Sequence, residues 1–251
     1  MTYGLIWVKA LQRIAKSKTF DNGTVCASEQ SIIIEKNMET AILEEGRRLG
    51  YYFMDPQEAE RLAKLLFRPS GALNPEIVGK SAGQLAQMAG FSVPADVKVL
   101  VAREQEAGPS RPYSKEKLCP VLALYVMESE DAVLKKCIEI LDHEGSGHTF
   151  SMHCREETVI RKFAAKIPVS RFLVNTPAAL GGIGATTGLF PALTLGCGAV
   201  GGSSSSNNIS PLDLINIRRV SWGMGEKQES APKADEELVQ LLARKIMERL
   251  G

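Results

Sequence analysis

The chain carries TFDNGTVCASEQS at residues 19–31, directly before the apolar run Ile32–Ile34. Cys26 therefore follows a polar, glycine-containing turn and precedes a segment whose β-branched residues favour a buried strand. A thiol at the mouth of a strand can be partly exposed and surrounded by backbone N–H groups, whose dipoles favour the reactive thiolate. The residues alone leave two roles open for Cys26: a nucleophile, or the small buried side chain that an isolated cysteine more often is.

Strand-like and helix-like segments alternate outward from this block. Asp55 followed by Pro56 marks a helix start, because an N-cap residue precedes a proline at the first helical position. Ser129 is the N-cap of a later helix. The pattern predicts strands at residues 31–35, 97–101, 121–126, 148–152 and 171–175, and helices at residues 8–17, 38–49, 56–66, 81–88, 130–141 and 156–165. This alternation predicts an α/β fold.

The composition is that of a globular protein and argues against several functional classes. Of 251 residues, 44% are hydrophobic and 24% are charged, and 30 basic against 29 acidic residues give a net charge of +1. This balance argues against a nucleic-acid or membrane-surface partner. No stretch approaches the ~20 apolar residues of a membrane span, and residues 1–9 lack the pattern of a secretion signal. The five scattered cysteines form no CxxC pair, which argues against a disulfide framework or a zinc site and fits a reducing cytosol.

The cysteine block resembles the active-site segment of the aldehyde dehydrogenase superfamily. Its form over residues 20–31 is similar to the CoA-acylating branch, the acetaldehyde and propionaldehyde dehydrogenases. A run of a dozen residues with the cysteine in register is a specific signal. The resemblance covers roughly residues 8–222, the catalytic half of that family. It implies an α/β, three-layer αβα catalytic domain with Cys26 as the nucleophile.

A second motif, EKLCPV at residues 116–121, resembles the superfamily's Glu-x-Phe-x-Pro-Val block, with Leu118 in place of the usual Phe. The resemblance implies that Glu116 hydrogen-bonds a ribose hydroxyl of NAD, a task that suits a carboxylate. From the residues alone, a glutamate between Lys115 and Lys117 is a solvated surface side chain.

A third segment, RFLVNTP at residues 171–177, is similar to the strand and turn that the superfamily places beside its catalytic thiol. The resemblance implies that Asn175 helps to shape the acyl pocket, without being catalytic. A buried strand that ends in an Asn-Thr-Pro turn is the equally acceptable alternative.

The three histidines, His143, His148 and His153, are spaced by five residues. That spacing aligns ligands neither on a helix face nor on one side of a strand, so the sequence predicts no metal site. His148 lies in GSGHT at residues 145–149, which is similar to a stretch in the CoA-acylating branch. A structural, hydrogen-bonding histidine is the default interpretation.

The glycine-rich tract at residues 178–202, with the serine run at 203–206, allows two interpretations. Its composition is typical of a flexible linker. The resemblance instead implies a long ordered loop near the active site. Residues 212–220 then alternate apolar and charged side chains, which predicts an exposed strand. In the superfamily the corresponding arm joins a neighbouring subunit's sheet through main-chain hydrogen bonds, and this implies a homo-oligomer.

The tail has its own pattern. Residues 225–234 are polar and contain a proline, as linkers do. Residues 235–251 predict an amphipathic helix with a stripe formed by Leu238, Val239, Leu241, Leu242, Ile246 and Leu250. Two interpretations of this helix stay open. It packs on its own domain, or it is a detachable partner-binding element that resembles the encapsulation peptides of bacterial microcompartment enzymes. The predicted organisation is a catalytic domain (1–202), an oligomerisation arm (203–224), a linker (225–234) and a tail helix (235–251).

The resemblance implies a reaction in which Cys26 attacks a short-chain aldehyde, acetaldehyde or propionaldehyde, and NAD takes the hydride. CoA then accepts the acyl group from the Cys26 thioester. A complete enzyme of this family is about twice as long, and its dinucleotide-binding half would precede Cys26. We therefore expect the NAD-binding domain to be mostly absent from this chain. We expect the protein to be located in the cytoplasm or in a microcompartment lumen. The alternative function is a non-catalytic assembly module that keeps the arm and the tail helix.

Overall fold

A four-stranded parallel sheet forms the centre of the fold, and a two-stranded parallel sheet accompanies it. The computed structural model describes residues 4–224 and 236–250. The strands are β1 (Ser31–Glu35), β2 (Tyr51–Phe53), β3 (Val99–Glu104), β4 (Val121–Met127), β5 (Gly147–Met152) and β6 (Val169–Val174). The four-stranded sheet has the order β1-β4-β3-β2, and β5 pairs with β6. In register, Ile33 of β1 lies beside Tyr125 of β4.

Helices connect most of these strands, as the sequence predicts, whereas β3 leads to β4 through a loop with a 3₁₀ turn at Pro112–Ser114. They are α1 (Gly4–Thr19), α2 (Glu39–Arg48), α3 (Pro56–Leu66), α4 (Ala82–Met88), α5 (Glu130–His143), α6 (Glu157–Ala164), α7 (Ala178–Gly182) and α8 (Glu236–Leu250). The prediction for α3 is confirmed in detail: the Asp55 carboxylate accepts a hydrogen bond from the Glu58 backbone N–H at 2.8 Å, and the Glu58 carboxylate accepts one from the Asp55 backbone N–H at 3.0 Å.

One strand and one α-helix, β2 and α7, were not predicted, and two strands are displaced. β6 extends from Val169 to Val174 rather than over residues 171–175. β2 has only three residues, too few for an alternation to be recognised. α7 lies in the glycine-rich tract, where the small residues give no apolar stripe. β3 begins at Val99 rather than at residue 97 and continues to Glu104, because its pairing with β4 extends there.

Helices cover both faces of the four-stranded sheet, which confirms the three-layer αβα arrangement. Side chains of β4 alternate between the two cores: Leu122 and Leu124 pack with α1 and α2, whereas Val121 and Ala123 pack with α3 and α4. Beside them, β5 and β6 pack against α5 and α6 in a third cluster. A parallel sheet needs this double cover, since both of its faces are apolar.

The first compact unit extends to Asp213, and a second begins at Leu214. The first unit therefore includes residues 203–213, beyond the position 202 at which the predicted catalytic domain ends. The strand predicted from residue 212 is wrong at its start, because Pro211–Leu214 form a 3₁₀ turn in which the Asp213 carboxylate accepts the Ser210 N–H at 2.7 Å. Residues 215–223 have no regular secondary structure in the single chain. Their pairing with another subunit stays a prediction.

The predicted tail helix is present as α8. Its apolar side chains are more than half exposed, namely Val239, Leu241, Leu242, Ile246 and Met247. The predicted linker, residues 225–234, lies outside the described residues. No helix within the described ranges combines the length and the apolar character that a membrane-spanning segment requires.

Candidate active site

Cys26 lies in the loop that joins α1 to β1, and its side chain is exposed. The preceding turn is tightly built: Asp21 and Asn22 both adopt left-handed backbone conformations, and the Asn22 amide donates a hydrogen bond to the Gly79 carbonyl at 3.0 Å. Gly23 has φ +77°, and a Cβ there would lie 2.9 Å from the Cys119 carbonyl. The turn therefore requires glycine, and its packing fixes where the loop bearing Cys26 begins.

Two opposing influences act on the Cys26 thiol. The surrounding protein raises its pKa by desolvation, and the negative charge of Glu116 raises it further. Hydrogen bonds from the backbone N–H groups of Cys26 and Ala27 lower the pKa, and so does the positive charge of Arg171. The net result is a raised pKa, so a base is needed to deprotonate Cys26 at neutral pH.

Glu116 lines the same cavity as Cys26, which has a volume of about 630 Å³ and extends between β1 and β5. Desolvation and the nearby Glu144 raise the pKa of Glu116, whereas Lys18 and Lys117 lower it. The structure thus brings the two sequence-predicted site residues, Cys26 and Glu116, to one cavity. Their roles as nucleophile and ribose ligand stay predictions.

Two fully buried lysines lie behind this cavity, contrary to the solvated surface that the residues around Glu116 suggest. Burial lowers the pKa of Lys117 to about 7, and its Nζ donates to the carbonyls of Tyr113 and Lys115, each at 2.7 Å. Burial lowers the pKa of Lys18 to about 8. Its Nζ lies 3.4 Å from Ser28 Oγ, within the loop that carries Cys26. Lys18 therefore contacts the loop that carries Cys26, whereas Lys117 holds the segment around Glu116.

Glu29 links the same loop to the distant α7. Its carboxylate accepts a hydrogen bond from the backbone N–H of Ala178 at 3.0 Å, across 149 residues of sequence. Burial raises the pKa of Glu29 to about 7, although the hydrogen bonds from Ser17 and Ala178 oppose this. The start of α7 is thereby tied to the residue three positions after Cys26.

His148 also lines the cavity, and sequence reasoning assigned it only a structural role. Its Nδ1 lies 2.9 Å from Thr149 Oγ1. Burial lowers the pKa of His148, and the charge of Arg171 lowers it further. A neutral imidazole in the cavity that holds Cys26 can accept a proton. The stretch GSGHT carried the signal that could have identified it.

Asn175 ends β6 in a left-handed conformation, with φ 55°. Its side-chain Nδ2 donates to the Cys154 carbonyl at 2.6 Å, and its backbone N–H donates to Met152 at 2.9 Å. Asn175 is not among the described residues that line the cavity. The turn interpretation therefore accounts for this residue, and its suggested contribution to an acyl pocket gains no support from the cavity.

The glycine-rich tract is an ordered loop beside the thiol, as the resemblance suggests, and not a flexible linker. A Cβ at Gly182 would lie 2.8 Å from the Ala27 side chain, next to Cys26. A Cβ at Gly196 would lie 2.1 Å from the Ser205 carbonyl, so the loop also packs against itself. Among the described residues, no group of three or more His, Cys, Asp or Glu could hold a metal ion.

In this three-layer α/β domain an exposed cysteine, a carboxylate and a histidine line one cavity, which is an arrangement that enzymes with a thiol nucleophile use. No family model matches the chain. The structure of a probable aldehyde dehydrogenase from Listeria monocytogenes EGD-e matches with a TM-score of 0.85 and 53% identity, covering 89% of this chain and 49% of that one. The succinate-semialdehyde dehydrogenase (acetylating) of Clostridium kluyveri is 34% identical, over 93% of this chain and 51% of its own length.

The chain belongs to the acylating aldehyde dehydrogenases. It spans about half the length of the Clostridium relative and about a quarter of the aldehyde-alcohol dehydrogenase 2 of Entamoeba histolytica, to which it is 36% identical over 84% of its own length. A propionaldehyde dehydrogenase of Rhodopseudomonas palustris, 26% identical with a TM-score of 0.68 over 75% of this chain and 42% of that one, has been solved with bound CoA and an acylated cysteine.

Proposed function

We propose that this chain is the catalytic portion of a CoA-acylating aldehyde dehydrogenase, which converts a short-chain aldehyde to an acyl-CoA through a thioester on Cys26. The observation that carries the proposal is the cavity shared by Cys26, Glu116 and His148. The acylated cysteine in the structure of the Rhodopseudomonas relative supports the same chemistry.

In the first half-reaction, His148 accepts the thiol proton and the Cys26 thiolate adds to the aldehyde carbon. The carbonyl electron pair moves to oxygen, where a backbone N–H such as that of Cys26 stabilises the charge. Glu116, which is partly buried at the cavity, fits the task of accepting hydrogen bonds from a ribose hydroxyl of NAD. Oxidation to the thioester needs a two-electron acceptor for the hydride, and NAD held at its ribose by Glu116 would supply that chemistry.

In the second half-reaction, the thiolate of CoA attacks the thioester carbon and Cys26 leaves as a thiolate. One carbon–sulfur bond forms as another breaks, so the exchange is nearly thermoneutral and needs no further oxidant or reductant. His148, after it has released the first proton to solvent, accepts the CoA thiol proton and returns it to the departing Cys26 thiolate. Acyl transfer between Cys26 and CoA uses only residues of the described cavity. It is therefore the step that can be tested with this chain alone.

The test is a brief exposure of the purified chain to limiting propionyl-CoA, followed by mass spectrometry and peptide mapping. The expected result is a single propionyl adduct on Cys26, because the acyl group passes from CoA to the thiolate in reverse. Cys119 and Cys137 serve as internal controls in the same sample and should stay unlabelled. Burial raises the pKa of these thiols to about 11 and about 12. Equal labelling of several cysteines, or none, would favour the assembly-module function.

We also propose that the arm forms a homo-oligomer and that the tail helix binds a different partner, such as a microcompartment shell protein. Large apolar side chains are exposed in the arm, among them Leu214, Ile217 and Trp222. Exposed apolar groups of this kind are typical of interfaces.

Light scattering separates the two elements. Deletion of residues 235–251 is expected to leave the number of protomers in the oligomer unchanged, because the arm alone supplies the contact. A fall to the monomer would assign oligomerisation to the tail helix instead. A matched control is the full chain with Ile217→Asp, for which dissociation is the expected result.

A further inference from the structure

Arg171 lies on β6 and is 2% exposed, yet its hydrogen-bond partners among the described residues are neutral. Its Nε donates to Thr149 Oγ1 at 3.2 Å, and its Nη2 donates to the Gly196 carbonyl at 2.5 Å. Its Nη1 donates to the Ser206 carbonyl at 3.3 Å and lies 3.5 Å from Asn208 Oδ1. The guanidinium therefore joins β5, β6 and the glycine-rich loop.

The positive charge of Arg171 is not compensated by a carboxylate within residues 4–224 or 236–250, where its hydrogen bonds go to a hydroxyl, an amide and carbonyls. A buried charge without a counter-ion is costly and seldom retained for packing alone. The titratable groups that its charge reaches are Cys26, Cys197 and His148. Two of these three line the proposed active site.

A chain of contacts also connects Arg171 mechanically to the thiol loop. Asn208, which faces the guanidinium, donates through Nδ2 to the carbonyls of Gly182 and Phe190, each at 2.8 Å. Gly182 in turn lies against Ala27, the residue after Cys26. On the opposite side, Thr149 Oγ1 contacts both Arg171 Nε and His148 Nδ1.

We propose that Arg171 is a positioning residue of the thiol site, whose uncompensated charge favours the thiolate of Cys26 and whose hydrogen bonds hold the glycine-rich loop against β5 and β6. The proposal rests on the function proposed above for Cys26. Through Thr149, the same side chain holds the imidazole of His148 and disfavours its protonation. One buried cation thus acts on the nucleophile and on the base together.

The charged groups around Cys26 define what a change at Arg171 should do. Glu116 opposes the thiolate, and Arg171 is the cation that favours it, besides the local backbone N–H groups. Lys18 and Lys117 act on Glu116, as does Glu144. Removal of the Arg171 charge therefore leaves the backbone N–H groups of Cys26 and Ala27 to oppose Glu116 at the sulfur.

The test is the pH dependence of Cys26 alkylation by iodoacetamide, followed by peptide mapping of the full chain. The alkylation rate reports the thiolate fraction and requires neither aldehyde nor CoA, so its outcome is separate from that of acyl transfer. Arg171→Met should move the inflection for Cys26 to higher pH, because the charge that favours the thiolate is removed. Arg171→Lys should leave the pH of the inflection close to that of the unmodified chain, because the charge remains. Arg161→Met, at an exposed arginine paired with Glu157, is the matched control and should change nothing.

Two results would overturn the proposal. One is a folded Arg171→Met variant whose Cys26 inflection equals that of the unmodified chain. The other is an Arg171→Lys variant whose inflection lies clearly above that of the Arg161→Met control, since the charge is retained there. The second result decides the question even if Arg171→Met does not fold. Both variants should lower the thermal midpoint, because both lose the forked hydrogen bonds to the loop.

Discussion

Replacement of Cys26 by alanine is expected to abolish the acyl adduct formed from propionyl-CoA, with a loss on the order of 10³-fold or more in the initial rate. The reason is that, among the five cysteines, Cys26 alone is exposed, and it lies in the loop directly before β1. Cys119 and Cys137 are buried, and their pKa values are raised by burial to about 11 and about 12. The remaining two, Cys154 and Cys197, are half-buried.

The matched control is Cys154→Ala, because Cys154 lines the same cavity as Cys26 but lies beyond the end of β5. This variant should retain the adduct at nearly the rate of the unmodified chain. Intact mass measured over a time course, with peptide mapping at its end, gives both rates. An adduct that persists in Cys26→Ala but disappears in Cys154→Ala would transfer the nucleophile to Cys154. Equal loss in both would indicate damage to the cavity as a whole.

Much of this site could be predicted from local sequence, because its decisive residue lies in a continuous block. The residues around Cys26 fix their own turn, through left-handed Asp21 and Asn22 and through Gly23. The strand that follows is apolar and β-branched, so its burial in a parallel sheet could be predicted. Local propensity and tertiary packing agree here, as they do at the capping box of α3.

The contacts that bring the other site residues to Cys26 could not be predicted in the same way. Glu116 reaches the cavity because the following strand, β4, pairs with β1, and this pairing is a property of the sheet order. Burial of Lys117 between the layers has no periodic signal at all. Arg171 resembles an ordinary charged residue on an apolar strand until the loop at residues 194–208 covers it. In each case the energy depends on groups distant in sequence, which no window of residues contains.

The largest expected effect on stability comes from Gly147, which opens β5. Its φ is +79°, and a Cβ there would lie 2.1 Å from the Cys197 carbonyl and 2.7 Å from the Gly201 N. Both neighbours are backbone atoms of the glycine-rich loop, so no side chain can rotate away. Gly147→Ala should lower the free energy of unfolding by about 3 kcal/mol or more, because the left-handed conformation costs ~1–2 kcal/mol and overpacking adds ~1–3 kcal/mol.

Gly202→Ala separates the two costs, because Gly202 has φ +71° and nothing within 4 Å of its ideal Cβ position. This control carries the conformational cost alone and should lose about 1 kcal/mol. Urea denaturation followed by circular dichroism measures both variants against the unmodified chain. Equal losses would mean that the loop yields freely at Cys197 and Gly201. A loop that yields in this way would not hold Arg171 in place rigidly. The hydrogen bonds of Arg171 to Gly196 and Asn208 would then not explain how Arg171 positions the thiol site.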